Sequence, residues 1–144
     1  CNSFQYLAHE ELADSVRTVF DLTKPGGLCI TEFITQDHLR WYPNVVFSEG
    51  DMVVSLRNLT LRERGGFTYQ DSEIVNISRL GRLRISHEGT HRRVLVSPRR
   101  LFDLFTAQFG DDVTVFDAHS FEELSPDQET CPSTRFVICA RRGD

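Results

Sequence analysis

Cys1-Asn2-Ser3-Phe4-Gln5-Tyr6-Leu7 and, one helix further on, Lys24-Pro25-Gly26-Gly27-Leu28-Cys29-Ile30 are the stretches that decide how this chain folds. The first is polar and turn-forming. Between them, Leu12, Val16, Val19 and Phe20 recur at i, i+4, i+7 and i+8, the stripe of a helix packed on a sheet, over residues 10–22. Proline cannot continue that helix, and the glycines after it permit the left-handed turn that ends it. Residues 28–34 then read as a short, mostly apolar strand of the kind covered on both faces. Turn, helix, turn and strand make one unit of a parallel α/β sheet entered in its middle. A parallel neighbour is therefore expected beside 28–34, and pairing with oppositely running strands alone would count against this reading.

Outward from that unit the pattern changes. Residues 36–43 read as a loop or short helix ended by Pro43. Residues 52–63, 67–80 and 83–96 are long runs rich in Val, Ile, Leu, Thr and Tyr, separated by Gly65-Gly66 and Gly81 and interrupted at Glu88-Gly89-Thr90. They predict an antiparallel meander, and a slip of alternation at 57–59 predicts a bulge. Ser97-Pro98 supplies an N-cap with proline at the first helical position. Leu101, Leu104, Phe105 and Phe109 form the buried stripe of that helix, which Gly110 ends. Strands over 113–116 and 135–140 close the chain, joined by a loop through Ser125-Pro126 and Cys131-Pro132.

With 144 residues and a net charge of −5, one ordinary core is expected, and nucleic acid or anionic lipid is disfavoured as a partner. No apolar run approaches the roughly 18 residues that span a bilayer, so a soluble, cytoplasmic protein is expected. The chain opens on Cys1 rather than Met, with no leader pattern, as a truncated sequence would. The four cysteines, Cys1, Cys29, Cys131 and Cys139, have no metal-ligand spacing, and Cys29 and Cys139 sit in apolar strand patterns as small hydrophobes. His87 and His91 flank the expected turn at 88–90 and form no cluster, so no metal is expected. Arginines gather at Arg79, Arg82 and Arg84 and at Arg92, Arg93, Arg99 and Arg100. A solvated face on strands accounts for them, with an anionic-substrate patch as the other reading. The glycosylation-like triplets at Asn58 and Asn76 and the terminal Arg142-Gly143-Asp144 are chance matches on this reading.

The order of turn, helix, Pro25-Gly26-Gly27, strand, antiparallel insertion, helix, strand, loop and strand resembles the C-terminal half of class I S-adenosylmethionine-dependent methyltransferases. Within that group it is similar to small-molecule N-methyltransferases such as glycine N-methyltransferase and the nucleotide-sugar amine dimethyltransferases. The resemblance implies a Rossmann-like α/β fold, with core at 1–34 and 98–144 and the insertion at about 44–97. It also implies S-adenosylmethionine as cofactor and a small-molecule methyl acceptor as partner, with N- or O-directed transfer.

Ligands in such folds collect at the carboxyl ends of the strands. By resemblance, Cys1, Ser3, Tyr6 and Leu7 border the cofactor, and Asn2 faces the substrate. Asn2 and Tyr6 are then the catalytic candidates, Asn2 as an orienting amide and Tyr6 through a lowered pKa or a water. A histidine often stands where Tyr6 is. Ile34 occupies the place where glycine N-methyltransferase has an arginine for its substrate carboxylate, which argues against glycine as acceptor. Glu32, Thr35 and Gln36 lie beside that point, and Trp41 and Tyr42 would close over the site. The glycine-rich loop and acidic strand end that hold the cofactor are absent from the sequence, since both glycine pairs precede strands. The polypeptide is therefore expected to be inactive alone, as a fragment missing its N-terminal half, with homodimer formation an open alternative. A noncatalytic α+β module that binds a ligand or completes a partner is the competing reading.

Overall fold

The structure is a computed structural model that describes residues 3–7, 9–35, 44–49, 52–64, 67–79 and 83–144; for residues 3, 6, 9, 44–49, 52–60, 72–79 and 83–91 it describes the backbone alone. A 3-10 turn at Ser3–Tyr6 and another at His9–Glu11 lead into helix α1, Leu12–Leu22. Strand β1, Leu28–Ile34, follows the Pro-Gly-Gly turn, in which Gly26 takes a positive φ of 70°. Next come β2 (Asn44–Glu49), β3 (Met52–Arg64), β4 (Phe67–Arg79) and β5 (Leu83–Leu95). Helix α2, Pro98–Phe109, then precedes β6 (Val113–Asp117) and β7 (Arg135–Arg141).

Two sheets result, one in the order β1-β7-β6 and one in the order β2-β3-β4-β5. All pairings in the second are antiparallel. The bulge expected near 57–59 is there: Asn58 faces Ser72 and Thr60 faces Asp71, leaving Leu59 as the extra residue. The turn expected at 88–90 is not. Residues 83–95 form one strand, and the interruption is a second bulge, with Ile74 opposite Gly89 and Val75 opposite His87. The backbone there absorbs one extra residue without reversing. Strand β2 falls inside the insertion expected at about 44–97, although its six residues carry no long alternating run of their own. The expected loop at 36–43 lies outside the described residues.

The first sheet also corrects an expectation. Strand β7 runs antiparallel to both β1 and β6 and lies between them, so the two strands that run in the same direction never touch. Among the described residues β1 has no parallel neighbour. Its second edge meets a side chain instead, as shown below.

The helices cover one face of this sheet. Leu12 and Val16 of α1 and Leu101, Phe105 and Phe109 of α2 bury themselves against Phe33, Phe136, Ile138, Ala140, Val113 and Val115. Period 3.6 meets period 2 here: every second strand residue joins every third or fourth helix residue. The aromatic rings lock the layer, with Phe33 stacked on Phe136 at 5.4 Å and Phe20 edge-on to Phe109 at 5.1 Å. Ser97 accepts the Arg100 backbone N–H and so caps α2. The opposite face of the sheet, by strand alternation, carries Leu28 and Ile30, which are 51% and 64% exposed, with Cys139 opposite Ile30. No helix among the described residues covers it, and none is long and apolar enough to cross a membrane.

Candidate functional site

The carboxyl end of β1 is where the two sheets meet. Gln5, on the first 3-10 turn, is 1% exposed. Its amide nitrogen donates to the Ile34 carbonyl at 2.8 Å and to the Val94 carbonyl at 3.3 Å, and its Oε1 accepts the Ile34 N–H at 3.0 Å. A single side chain thus completes the free edge of β1 as a strand would, and ties it to the end of β5. An amide carries a donor and an acceptor in one plane, matching a peptide unit, so the outward N–H and carbonyl of Ile34 are both satisfied. Phe4 anchors the same turn, 6.0 Å from the Phe33 ring and 6.4 Å from Phe105.

Beyond Ile34 a cavity of about 680 Å³ opens beside the start of β4, the end of β5 and the first turns of α2. Thr35, Phe67, Thr68, Ser97, Arg99 and Arg100 line part of it, and Leu95, Val96, Asp103, Leu104, Glu129 and Thr130 the rest. Thr35 is fixed twice by one acceptor: its N–H and its hydroxyl both donate to the Thr134 carbonyl, at 2.9 and 3.2 Å. The loop behind Thr134 is held by Asp117 at the end of β6. Its carboxylate accepts the N–H groups of His119, Ser120 and Ser133, each at 2.9 Å, and the Cys131 thiol at 3.2 Å. Burial alone would raise the Asp117 pKa, but those four donors outweigh it and hold the group well below the usual carboxylate range. Burial and the neighbouring Asp117 push the Cys131 thiol up to about 11.

The residues singled out from sequence fall in different places. Leu7 is half-buried, with its N–H on the Phe4 carbonyl, and Ser3 and Tyr6 belong to the turn that Gln5 anchors. Thr35 lines the cavity. Glu32 does not: it pairs with Arg135 at 3.2 Å on the open face of the sheet. Cys1, Asn2, Gln36, Trp41 and Tyr42 lie outside the described residues.

The arginines separate as well. Arg92 forms a cross-strand pair with buried Asp71, its Nε 2.7 Å from Oδ1, which with Arg62 nearby lowers the Asp71 pKa. Arg99 and Arg100 sit on α2 rather than on a strand and line the cavity. Arg142 of the terminal triplet donates to the carbonyls of Phe20, Asp21 and Thr23 and stacks on Phe20, so it caps α1. Sequence reasoning missed Gln5 altogether. Its only signal was a polar residue between Phe4 and Tyr6, which any exposed turn also shows.

No protein-family model matches the chain, and no curated protein matches it in sequence. Among solved structures it is similar to an S-adenosylmethionine-dependent methyltransferase from Clostridium acetobutylicum ATCC 824. The TM-score is 0.68 at 14% identity, over 99% of this chain and 56% of that one. It is also similar to CalS10, an amino pentose methyltransferase from Micromonospora echinaspora involved in calicheamicin biosynthesis, solved with S-adenosylmethionine bound. There the TM-score is 0.52 at 13% identity, over 97% of this chain and 55% of CalS10. The fold is shared with S-adenosylmethionine-dependent methyltransferases, and the chain spans about half the length of the solved chains it matches.

Proposed function

We propose that the chain is the C-terminal part of a class I S-adenosylmethionine-dependent methyltransferase acting on a small-molecule acceptor at nitrogen or oxygen, the cofactor-binding half lying outside it. The observation that carries this reading is the fold likeness over 99% of this chain to a methyltransferase nearly twice as long. Among the described residues β1 pairs only with the antiparallel β7, which counts against a parallel α/β unit at 28–34; what supports the proposal is the fold likeness, which extends over 99% of this chain. An edge of β1 met by a side chain and an apolar sheet face without a helix are consistent with a further βα layer.

The residues present fit one wall of a cofactor site. The turn at Ser3–Tyr6 stands at the carboxyl tip of β1, where ligands gather in α/β sheets. Asp117, the acidic residue ending β6, already accepts four donors and has no capacity for a ribose hydroxyl. That role falls to residues outside the described chain. When bound, the cofactor supplies an activated methyl group on sulfonium. The chain's own part is placement: Gln5 fixes the turn, the Thr134 carbonyl holds Thr35 at the cavity wall, and Phe67, Leu95, Val96 and Leu104 exclude water around the acceptor. By resemblance, Asn2 orients the acceptor and Cys1, Ser3, Tyr6 and Leu7 border the cofactor, with Tyr6 assisting proton removal. Gln36, Trp41 and Tyr42 complete the acceptor side.

Calorimetry tests the division of labour. The isolated chain is expected to give no heat with S-adenosylmethionine, and a polypeptide that restores the upstream half is expected to bind it. Tight binding by the isolated chain, or none by the restored protein, would overturn the reading. In the restored enzyme Asn2→Ala is expected to lower kcat more than cofactor affinity.

A further inference from the structure

We propose that the cavity receives its ligand through an oxyanion, a carboxylate or phosphate group held by Arg100, which makes the methyl acceptor an anionic small molecule. The last clause rests on the methyltransferase reading; the oxyanion site does not.

The Arg100 guanidinium carbon lies 3.9 Å from the centroid of the Phe67 ring. Stacking on an aromatic face fixes the plane of a guanidinium and leaves its N–H edge open for two parallel hydrogen bonds. A carboxylate or phosphate matches that edge, and such charge-assisted pairs are the strong ones. Yet among the described residues no carboxylate stands within 4 Å of this group, in a chain of net charge −5. The neighbouring cations differ. Arg92 is taken by Asp71, and the Arg99 Nε is 3.9 Å from Glu129 Oε1. Arg100 alone is both preorganised and unpaired on this lining.

The rest of the cavity suits the same ligand. Thr35, Thr68, Ser97 and Thr130 bring hydroxyl groups, while Phe67, Leu95, Val96 and Leu104 bring apolar surface. Asp103 is the one acidic lining residue without a cation within 4 Å among the described residues, because Glu129 is offset by Arg99. The ligand therefore carries a hydrogen-bond donor as well as the oxyanion. Ile34, which by resemblance stands at the place of a substrate-binding arginine, is fully buried and is not part of the cavity lining. Arg100 supplies from α2 the charge that the strand end lacks.

The test uses the labelled chain and three probes: inorganic phosphate, acetate, and acetamide as the neutral isostere. Phosphate or acetate is expected to move the Arg100 Nε–H resonance and the backbone amide resonances of Thr68 and Val96 on the cavity lining saturably, with acetamide at least about tenfold weaker. Saturation by phosphate alone, or by acetate alone, assigns the anion type. Arg100→Gln should abolish the response and Phe67→Leu should weaken it, while both variants keep the wild-type amide spectrum elsewhere. A response that survives Arg100→Gln, or acetamide binding as well as acetate, overturns the oxyanion site. In the restored enzyme, Arg100→Gln should raise KM for anionic acceptors about tenfold with little change in kcat. Equal use of neutral acceptors there overturns the substrate class. Absence of any methyl transfer, with anion binding intact, overturns the methyltransferase reading and leaves the site standing.

Discussion

The Gln5 side chain hydrogen-bonds the backbone of Ile34 in both directions, Nε2 to the carbonyl at 2.8 Å and Oε1 from the N–H at 3.0 Å. A third bond to Val94 makes it the point where turn, core strand and insertion meet. Removing the amide leaves three buried backbone groups without partners, each a desolvated polar group. Gln5→Leu should therefore cost about 2–3 kcal/mol, and Gln5→Glu at least as much, because a carboxylate cannot donate to two carbonyls. Urea unfolding gives the magnitude. Hydrogen exchange gives the location: the Ile34 amide should lose protection first, and unchanged exchange there would mean that water replaces the side chain.

Stability should fall on both sides of neutrality, through one pair of groups. The Asp117 pKa is depressed in the fold, so its contribution is complete above the ordinary carboxylate pKa of about 4 and is lost as pH falls from there toward the depressed folded value. The Cys131 pKa is raised from 9.0 to about 11, so its contribution is complete below the lower value and is lost as pH climbs between the two. Asp71, lowered by its bond to Arg92, adds to the acid limb. Unfolding measured across pH should show a shallower acid limb for Asp117→Asn and a shallower alkaline limb for Cys131→Ala. Asp117→Ala, which takes the acceptor from three part-buried N–H groups and the buried Cys131 thiol, should cost about 2 kcal/mol.

Arg142 reaches three carbonyls at the end of α1, the terminus where a cation is favoured. Arg142→Ala should lower stability by about 1–2 kcal/mol, and Arg142→Lys should recover part of that through charge alone. Thermal melts of the two variants check the order. Equal loss would assign the effect to the Phe20 stack rather than to the cap.

Ile30 separates the chain by itself from the chain in a longer protein. At 64% exposure, Ile30→Glu should change the stability of these 144 residues by less than about 0.5 kcal/mol and improve solubility. With the upstream half restored, the same change should be strongly destabilising, because it buries a charge. A neutral effect in both would mean that nothing packs on this face.

The amino-acid order alone determined both helices and most of the strands, but neither β2 as a separate strand nor the unbroken course of β5. Pro25-Gly26-Gly27 placed the end of α1 and the start of β1, Ser97-Pro98 placed α2, and broken alternation placed the bulge at Leu59, because these signals act within a few residues. The antiparallel setting of β1 was decided by the fold. Register and neighbour choice depend on β7, over 100 residues away, threading between two strands that share a direction. The same holds at the site. Gln5 and Arg100 look in sequence like any surface glutamine and arginine. One becomes a buried surrogate strand and the other an unpaired, stacked cation only when distant backbone and the Phe67 ring are brought beside them.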